Sequence, residues 1–142
     1  MIRDARLADA PVLADLLTEL GYPSTADQIR DRLGRIGADG GRIVVAERDG
    51  AVAGCLHVSA ATNLTADRGA EIQALVVAAG ARGSGIGRAL VDAARAWALE
   101  RGCRDLRVRT NVVRSGARAF YARLGFAPTK EQVVFVLPLP RR

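Results

Sequence analysis

The stretch Arg82-Gly83-Ser84-Gly85-Ile86-Gly87 is the most informative part of this chain because of the residues on either side of it. The apolar run Leu75-Val76-Val77 before it is typical of a β-strand, and the residues after it repeat at helical spacing. The apolar positions of that helical pattern are Ile86, Leu90, Val91, Ala94, Trp97 and Ala98. Glycines at a helix start let backbone N–H groups approach an anion, which the helix dipole also favours. With Arg82 as a nearby cation, the stretch predicts a phosphate site, most simply for a pyrophosphate.

Two other phosphate-binding loops do not fit the spacing. The loop of nucleotide hydrolases requires Gly-x-x-x-x-Gly-Lys-Ser/Thr, whereas the only lysine of this chain is Lys130. The dinucleotide fingerprint Gly-x-Gly-x-x-Gly, read from Gly83, requires a small residue where Arg88 stands. Asp105 is a weak match to the acidic residue that follows this fingerprint, and the motif lies in the middle of the chain.

The pattern Arg/Gln-x-x-Gly-x-Gly/Ala does fit, with Arg82, Gly85 and Gly87 in its fixed places. It resembles the pyrophosphate loop of the GCN5-related N-acetyltransferases (the GNAT family), which use acetyl-CoA. Residues 71–77 resemble the central strand of that family, and residues 117–126 resemble its last helix and the turn after it. The resemblance extends from Ile2 to Val136. The alternative is that these glycines only begin an ordinary helix.

The resemblance implies an α/β fold, with a mixed central sheet of about six to seven strands, about four flanking helices and a single domain over residues 1–142. The chain is long enough for one such domain. The local patterns predict a helix capped by Asp9, a second helix beginning at Ser24 or Thr25, and a hairpin at Asp49-Gly50. They also predict a loop over residues 62–69 and a final strand over residues 133–137.

Composition indicates a soluble cytoplasmic protein without a metal. No apolar run approaches the ~20 residues of a membrane span, and the N-terminus lacks the apolar segment of a signal peptide. Cys55 and Cys103 lack metal-ligand spacing and are expected on separate strands as reduced, packed side chains.

The net charge of +6 is divided unevenly. Residues 1–81 hold eight arginines and eleven acidic residues, a balance of −3, whereas residues 82–142 carry +9. A basic half that begins at the phosphate loop suits coenzyme A, and an acidic half suits a cationic amine. We expect no membrane or nucleic-acid partner, because the aromatic interleaving and recognition motifs of nucleic-acid binders are missing. Most of these arginines are equally well explained as solvated surface residues.

Acetyl transfer needs an amine without its proton. A lysine-like amine with a pKa of ~10.4 needs roughly 4.6 kcal/mol to lose its proton at neutral pH. Glu71 lies eleven residues before Arg82, where histone-acetylating members of the family place a catalytic glutamate, so the resemblance makes it the candidate base. A water chain, or a solvent-facing Glu71 without a role, is the alternative. Arg109 occupies a second family position for a base and is unable to serve as one.

Tyr121 is the candidate acid that the resemblance implies, because the equivalent tyrosine reaches the sulfur of coenzyme A. A phenol with a pKa of ~10 is able to protonate a leaving thiolate. The structural alternative is a tyrosine packed beside Phe120 and Phe126. His57, the only histidine, is expected to be structural.

The backbone of β-strand residues Leu75 and Val77 is expected to bind the pantetheine arm. Arg114 holds the position of the asparagine that many members use on this arm. It is expected to reach a phosphate instead, with Asn111 as a partial substitute for the asparagine, and the alternative is a solvated arginine at the helix start. The resulting assignment of cofactor-binding residues is Leu75, Val76, Val77, Arg82, Gly83, Ser84, Gly85, Ile86, Gly87, Asn111 and Arg114.

The acceptor pocket is expected at the joint of the first two helices, residues 20–23 with Tyr22, and at the 62–69 loop. Glu19 or Asp67 is a candidate partner for a cationic acceptor. The favoured function is acetylation of a small-molecule primary amine. The alternatives are a non-catalytic acyl-CoA sensor, acetylation of a protein N-terminus or lysine, and a nucleic-acid-binding module. The family often forms dimers, which here would pair the exposed final strand with its copy.

Overall fold

The computed structural model describes residues 1–110 and 115–141 and contains two compact units, Met1–Arg109 and Thr110–Arg142. The strands of the first unit are β1 (Ile2–Asp4), β2 (Arg42–Arg48), β3 (Ala51–Asn63), β4 (Ala66–Val77) and β5 (Leu106–Val108). Its helices are α1 (Ala10–Leu20), α2 (Ala26–Ala38) and α3 (Ile86–Glu100), with short 3-10 turns at Leu7–Asp9 and Ala79–Ala81. The second unit contains α4 (Ser115–Arg123).

The five strands form one mixed sheet in the order β1-β2-β3-β4-β5. The pairs β1–β2, β2–β3 and β3–β4 are antiparallel, and β5 runs parallel to β4 after the crossover through α3. The α/β class, the mixed sheet and the four helices are as predicted. The sheet has five strands in the described part of the chain, fewer than the six to seven expected.

Two hairpins connect the antiparallel strands. Asp49 and Gly50 both have positive φ (53° and 79°), the geometry of the tight turn predicted between β2 and β3. The loop predicted over residues 62–69 is wrong, because Asn63 already pairs with Ala66. Asn63 Oδ1 accepts hydrogen bonds from the Thr65 amide (2.9 Å) and hydroxyl (2.7 Å), and this Asx-type turn extends both strands almost to the tip.

The helix starts differ in how they are capped. Thr25 Oγ1 accepts from the Gln28 amide (3.2 Å) and Gln28 Oε1 accepts from the Thr25 amide (3.0 Å), a capping box at the helix start that was expected at Ser24 or Thr25. Asp9 precedes α1 but its side chain does not cap that helix. Its carboxylate instead accepts from the Arg6 amide and from both Arg3 Nη atoms, at 2.8 and 2.9 Å. Arg3, by hydrogen bonding, lowers the pKa of Asp9.

The core lies on both faces of the sheet. On one face, α1 and α2 pack against Val45, Cys55 and Val76. Alternate strand residues point to the other face, which α3 covers. There Gly54 allows a close approach, since a Cβ on it would lie 3.2 Å from both Ile86 and Leu90 and 2.9 Å from the Val76 carbonyl oxygen. The buried α3 residues are Leu90, Val91, Ala94, Trp97 and Ala98.

The final strand predicted over residues 133–137 is not formed. The structure gives residues 126–141 no regular secondary structure, and Phe135 is 92% exposed. A strand requires a neighbour to receive its N–H and C=O groups, and no described segment pairs with this one. Residues 133–137 and 139 are therefore a run of exposed hydrophobic side chains. No helix among the described residues is both long and apolar enough to cross a membrane.

Candidate functional site

The glycine-rich loop joins the end of β4 to the start of α3. Gly83 and Gly85 both have positive φ (77° and 87°), conformations that other residues adopt only with strain. A Cβ built on either glycine would meet no described atom within 4 Å. The Ser84 hydroxyl donates to the Ala81 carbonyl, so its side chain holds the loop itself.

The start of α3 leaves backbone donors available to a ligand. Gly85 occupies the position before the first helical residue, Ile86, and has no side chain to cap the first turn. The first N–H groups of a helix lack intrahelical acceptors, and Gly87 is the second residue of that turn. Arg82 is exposed at the entrance to the loop. The predicted anion site is thus an open bend with helix N–H groups and one cation.

The strand before this loop is paired on both edges only at residues 70–72. Pairing of β4 with β5 covers Ala70, Glu71 and Ile72, whereas pairing with β3 continues to Val77. Residues 73–77 therefore have one edge without a strand neighbour among the described residues. Leu75, Val76 and Val77, predicted to bind through their backbones, all lie in this half-paired segment.

A bulge in β4 determines the direction of Glu71. His57 pairs with Ala74 and Val58 with Ile72, so Gln73 is an extra residue in β4. Val76 faces α1 and α2, and strict alternation from it would turn Glu71 toward α3. The extra residue reverses the alternation, so that Glu71 lies opposite Ser59 and on the same face as α1 and α2.

Glu71 is held by Arg109, the residue that follows β5. Arg109 Nη1 donates to Glu71 Oε2 at 2.6 Å, with the two side chains 60% and 19% exposed. The other carboxylate oxygen has no hydrogen bond to a described residue. Arg109, which sequence reasoning discarded as a base, therefore has a role as the partner of the candidate base.

Further polar side chains surround this pair. Gln73 Nε2 donates to Ser59 Oγ at 3.0 Å, and Arg107 lies directly beside Glu71 in the parallel register. We call Ser59, Glu71, Gln73, Arg107 and Arg109 the polar patch. Sequence analysis missed three of its members, Ser59, Gln73 and Arg107. The alternation of Leu106-Arg107-Val108-Arg109, with one apolar and one charged face, was the available signal for Arg107.

Two further titratable groups lie below the patch on the same face of β3. Burial lowers the pKa of His57, and its Nε2 lies 3.4 Å from the place where a Cβ on Gly41 would be. Burial also raises the pKa of the Cys55 thiol to about 12. Both groups are neutral at pH 7. Cys103 lies between α3 and β5, not on a strand as expected, and both cysteines are free thiols.

Tyr121 lies on α4 in the second unit. Its ring packs edge-on against Phe120 (5.1 Å between centroids) and Phe126 (5.4 Å). Its backbone carbonyl accepts from the Phe126 amide at 3.1 Å, in a turn that Gly125 permits with φ of 96°. Burial raises the pKa of the phenol, so the hydroxyl keeps its proton at neutral pH.

The remaining predicted residues lie elsewhere. Asn111 and Arg114 fall outside the described residues. Tyr22, at the joint of α1 and α2, is 63% exposed. Asp67 lies near the β3–β4 turn and its backbone carbonyl accepts from Arg104 Nε at 3.2 Å. Glu19 makes no ion pair with another described residue.

Comparisons with known proteins agree with this geometry. A sequence model of the Acetyltransferase (GNAT) family matches residues 10–126. Aminoglycoside N(6')-acetyltransferase type 1 of Stenotrophomonas maltophilia is 41% identical over 58 residues, which are 41% of this chain and 38% of that protein. The matched stretch thus spans about two-fifths of that relative's length.

Solved structures show the same fold. A protein described as a transcriptional regulator from Bacillus halodurans C-125 superposes with a TM-score of 0.86 at 30% identity, over 96% of this chain and 99% of the other. An aminoglycoside antibiotic 6'-N-acetyltransferase from Acinetobacter haemolyticus superposes with a TM-score of 0.85 at 18% identity, over 99% of each chain, a likeness in fold. Since the family match covers most of the chain and includes the loop, β4 and Tyr121, this protein belongs to the acetyltransferase (GNAT) family.

Proposed function

We propose that this chain transfers the acetyl group of acetyl-CoA to a primary amine of a small molecule, by direct attack in a ternary complex. One observation carries the proposal. The open glycine loop, the half-paired end of β4 and the Glu71 carboxylate follow one another along a single strand and its exit. An anion site, an unpaired edge and a candidate base are thereby arranged in one line.

The loop suits the pyrophosphate of coenzyme A. Positive φ at Gly83 and Gly85 turns the backbone at the start of α3, and open space beside both glycines leaves room for phosphate oxygens. The N–H groups of Ile86 and Gly87 and the Arg82 guanidinium supply donors and positive charge.

The half-paired edge of β4 suits the pantetheine arm. An extended chain with amide groups is able to bind an unpaired strand edge as an additional strand does. Leu75, Val76 and Val77 provide this edge, and only their backbones are required. A backbone N–H directed at the thioester carbonyl would stabilise the charge that develops there during attack.

Glu71 is proposed as the base, directly or through a water molecule. Its free carboxylate oxygen is available to the amine, while Arg109 holds the other oxygen at 2.6 Å. A positioned base supplies part of the roughly 4.6 kcal/mol that deprotonation of a lysine-like amine requires at pH 7.

Tyr121 is proposed as the acid that protonates the departing thiolate of coenzyme A. Its raised pKa supports this role, because a phenol that stays protonated at neutral pH is available as a donor. The acceptor ammonium loses two protons in becoming an amide and the thiolate gains one through Tyr121, so the reaction releases one proton to solvent.

Initial rates of thiol release from acetyl-CoA, measured over a panel of amines with acetyl-CoA binding measured in parallel, test the proposal. We expect turnover with one class of amine and intersecting lines in double-reciprocal plots. The Tyr121→Phe variant should bind acetyl-CoA normally and lose most of its turnover. Parallel lines would indicate a covalent acetyl-enzyme and overturn direct attack, and failure to bind acetyl-CoA would overturn the whole proposal.

A non-catalytic acyl-CoA sensor is the second candidate, favoured by the Bacillus relative described as a transcriptional regulator. It predicts tight acetyl-CoA binding without turnover of any amine. Acetylation of protein N-termini or lysines predicts turnover of peptides alone.

We also propose that the protein is a cytoplasmic homodimer. Its two free thiols suit a reducing compartment, and the exposed run at residues 133–137 and 139 is a surface for a second copy. Light scattering after size exclusion tests the dimer, with Phe135→Asp expected to give a monomer.

A further inference from the structure

Arg107 of β5 and Arg109, just after this strand, lie beside Glu71. Arg107 is directly beside Glu71 in the parallel register, and Arg109 follows two residues later on the same face. Two residues of one strand on one face are about 7 Å apart. A pair of guanidinium groups at this spacing is able to bracket one small anion.

The charged groups near these arginines differ in whether they have an ion-pair partner. Glu71 is paired with Arg109, and Asp105, the carboxylate just before β5, lies 3.4 Å from Arg104. Arg107 is exposed and makes no ion pair with any residue in the described ranges 1–110 and 115–141. These three arginines and two carboxylates leave a local charge of +1, centred on Arg107.

The two guanidinium groups also have unused donors. A guanidinium carries five N–H groups in a fixed fork, and Arg109 uses one of them on Glu71. Such forks bind carboxylate and phosphate groups through two parallel hydrogen bonds. The polar patch therefore offers positive donors beside a single carboxylate, an arrangement complementary to a ligand that carries both an amine and an anion.

We infer that the acceptor is an amine that also carries an oxyanion, a carboxylate or a phosphate, which Arg107 and Arg109 bind while Glu71 faces the amine. This inference rests on the proposed function and adds the substrate class to it. A polycation such as an aminoglycoside would place its additional ammonium groups against Arg107, and like charges at short range repel.

The test compares matched acceptors that differ only in the anion. The pairs are an α-amino acid and its amide, and an amino sugar and its phosphate ester, so that the two pairs distinguish carboxylate from phosphate. We expect kcat/KM to be about tenfold or more higher for the anionic member of one pair. Arg107→Gln should remove this preference by raising KM, with kcat and acetyl-CoA binding unchanged.

Arg48→Gln, which removes an exposed arginine of β2, is the matched control and should retain the preference. Higher or equal kcat/KM for the neutral or polycationic acceptors would overturn the inference and leave the proposed function standing. Retention of the preference in Arg107→Gln would also overturn it. Acetyl-CoA binding without turnover of any amine would overturn the proposed function and the inference together.

Discussion

The two faces of the central sheet are built from alternate residues of the same strands, yet they differ in kind. The α3 face is apolar, with Leu56 and Leu90 completely buried and Trp97 only 4% exposed. The α1–α2 face is also apolar at Val45, Cys55 and Val76. Farther along β4 and β5, the same face carries the polar patch. One face is therefore devoted to stability, and the other combines core with candidate chemistry.

The difference between the faces depends on one inserted residue. Gln73 reverses the alternation of β4, so that Val76 and Glu71 share a face although five residues separate them. Without it, a carboxylate would point at the aliphatic side of α3. The bulge thus allows a single strand to supply apolar side chains to both cores and a charged one to the patch.

Deletion of Gln73 is expected to have the largest effect on stability and activity, because it removes the bulge that determines which residues of β4 point to each face. Without the bulge, the side chains of β4 alternate regularly between the two faces. Either Glu71 then points toward α3 or Val76 points out of the α1–α2 core. Burial of an unpaired carboxylate should cost about 4 kcal/mol of unfolding free energy and abolish acetyl transfer. Urea unfolding and thiol-release assays measure both effects. Gln73→Ala, which keeps the bulge, is the control, and normal stability and activity in the deletion would contradict this account of the strand.

Leu90→Ala tests only the apolar face of the sheet that α3 covers. The side chain is completely buried against β3 beside Gly54, so the cavity should lower the free energy of unfolding by about 2–5 kcal/mol. Leu99→Ala removes a leucine of the same helix that is 71% exposed, and should change stability by less than about 0.5 kcal/mol. Equal losses in the two variants would show that α3 does not pack as described.

Glu71→Gln tests the chemical face alone. Loss of the proposed base should lower kcat by about 10²-fold, or about 2.7 kcal/mol in barrier height, with acetyl-CoA affinity unchanged. The fall should be smaller at high pH, where more of the amine is already deprotonated. Glu100→Gln, at the end of α3, is the matched control. A variant with normal kcat at pH 7 would leave water alone as the base.

The smallest expected effect is the pH dependence of stability. It tests His57, which lies between the α1–α2 core and the polar patch. Burial lowers the pKa of His57, so the unfolded chain binds a proton more readily than the folded chain. Stability is therefore fully present above the unfolded pKa of ~6.5 and is lost as pH falls below it, by at most about 1.4 kcal/mol per pH unit. Thermal unfolding at pH 7.5 and 5.5 measures this loss. His57→Gln should flatten the profile in that window, and an unchanged profile would assign the loss to other groups.

Local signals in the sequence predicted local structure well. The glycine loop between a strand and a helix, the helix start at Thr25 and the Asp49-Gly50 turn depend on conformations that a few neighbouring residues impose, and all three are confirmed. The loop over residues 62–69 was mistaken, because polar residues near a hairpin tip were interpreted as irregular although their backbones pair. The strand over residues 133–137 was mistaken because β-forming residues do not supply a pairing partner.

The amino-acid sequence alone indicated the family, the α/β class and a glycine-rich loop between a strand and a helix, because these depend on short-range backbone preferences and characteristic spacings. The three-dimensional structure was needed to show that Glu71 faces α1 and α2, that Arg109 binds it and that Arg107 lies beside it. Those facts depend on the register between strands, which one bulged residue changes. The contacts join residues 38 positions apart in the chain, a distance at which no local pattern specifies a partner.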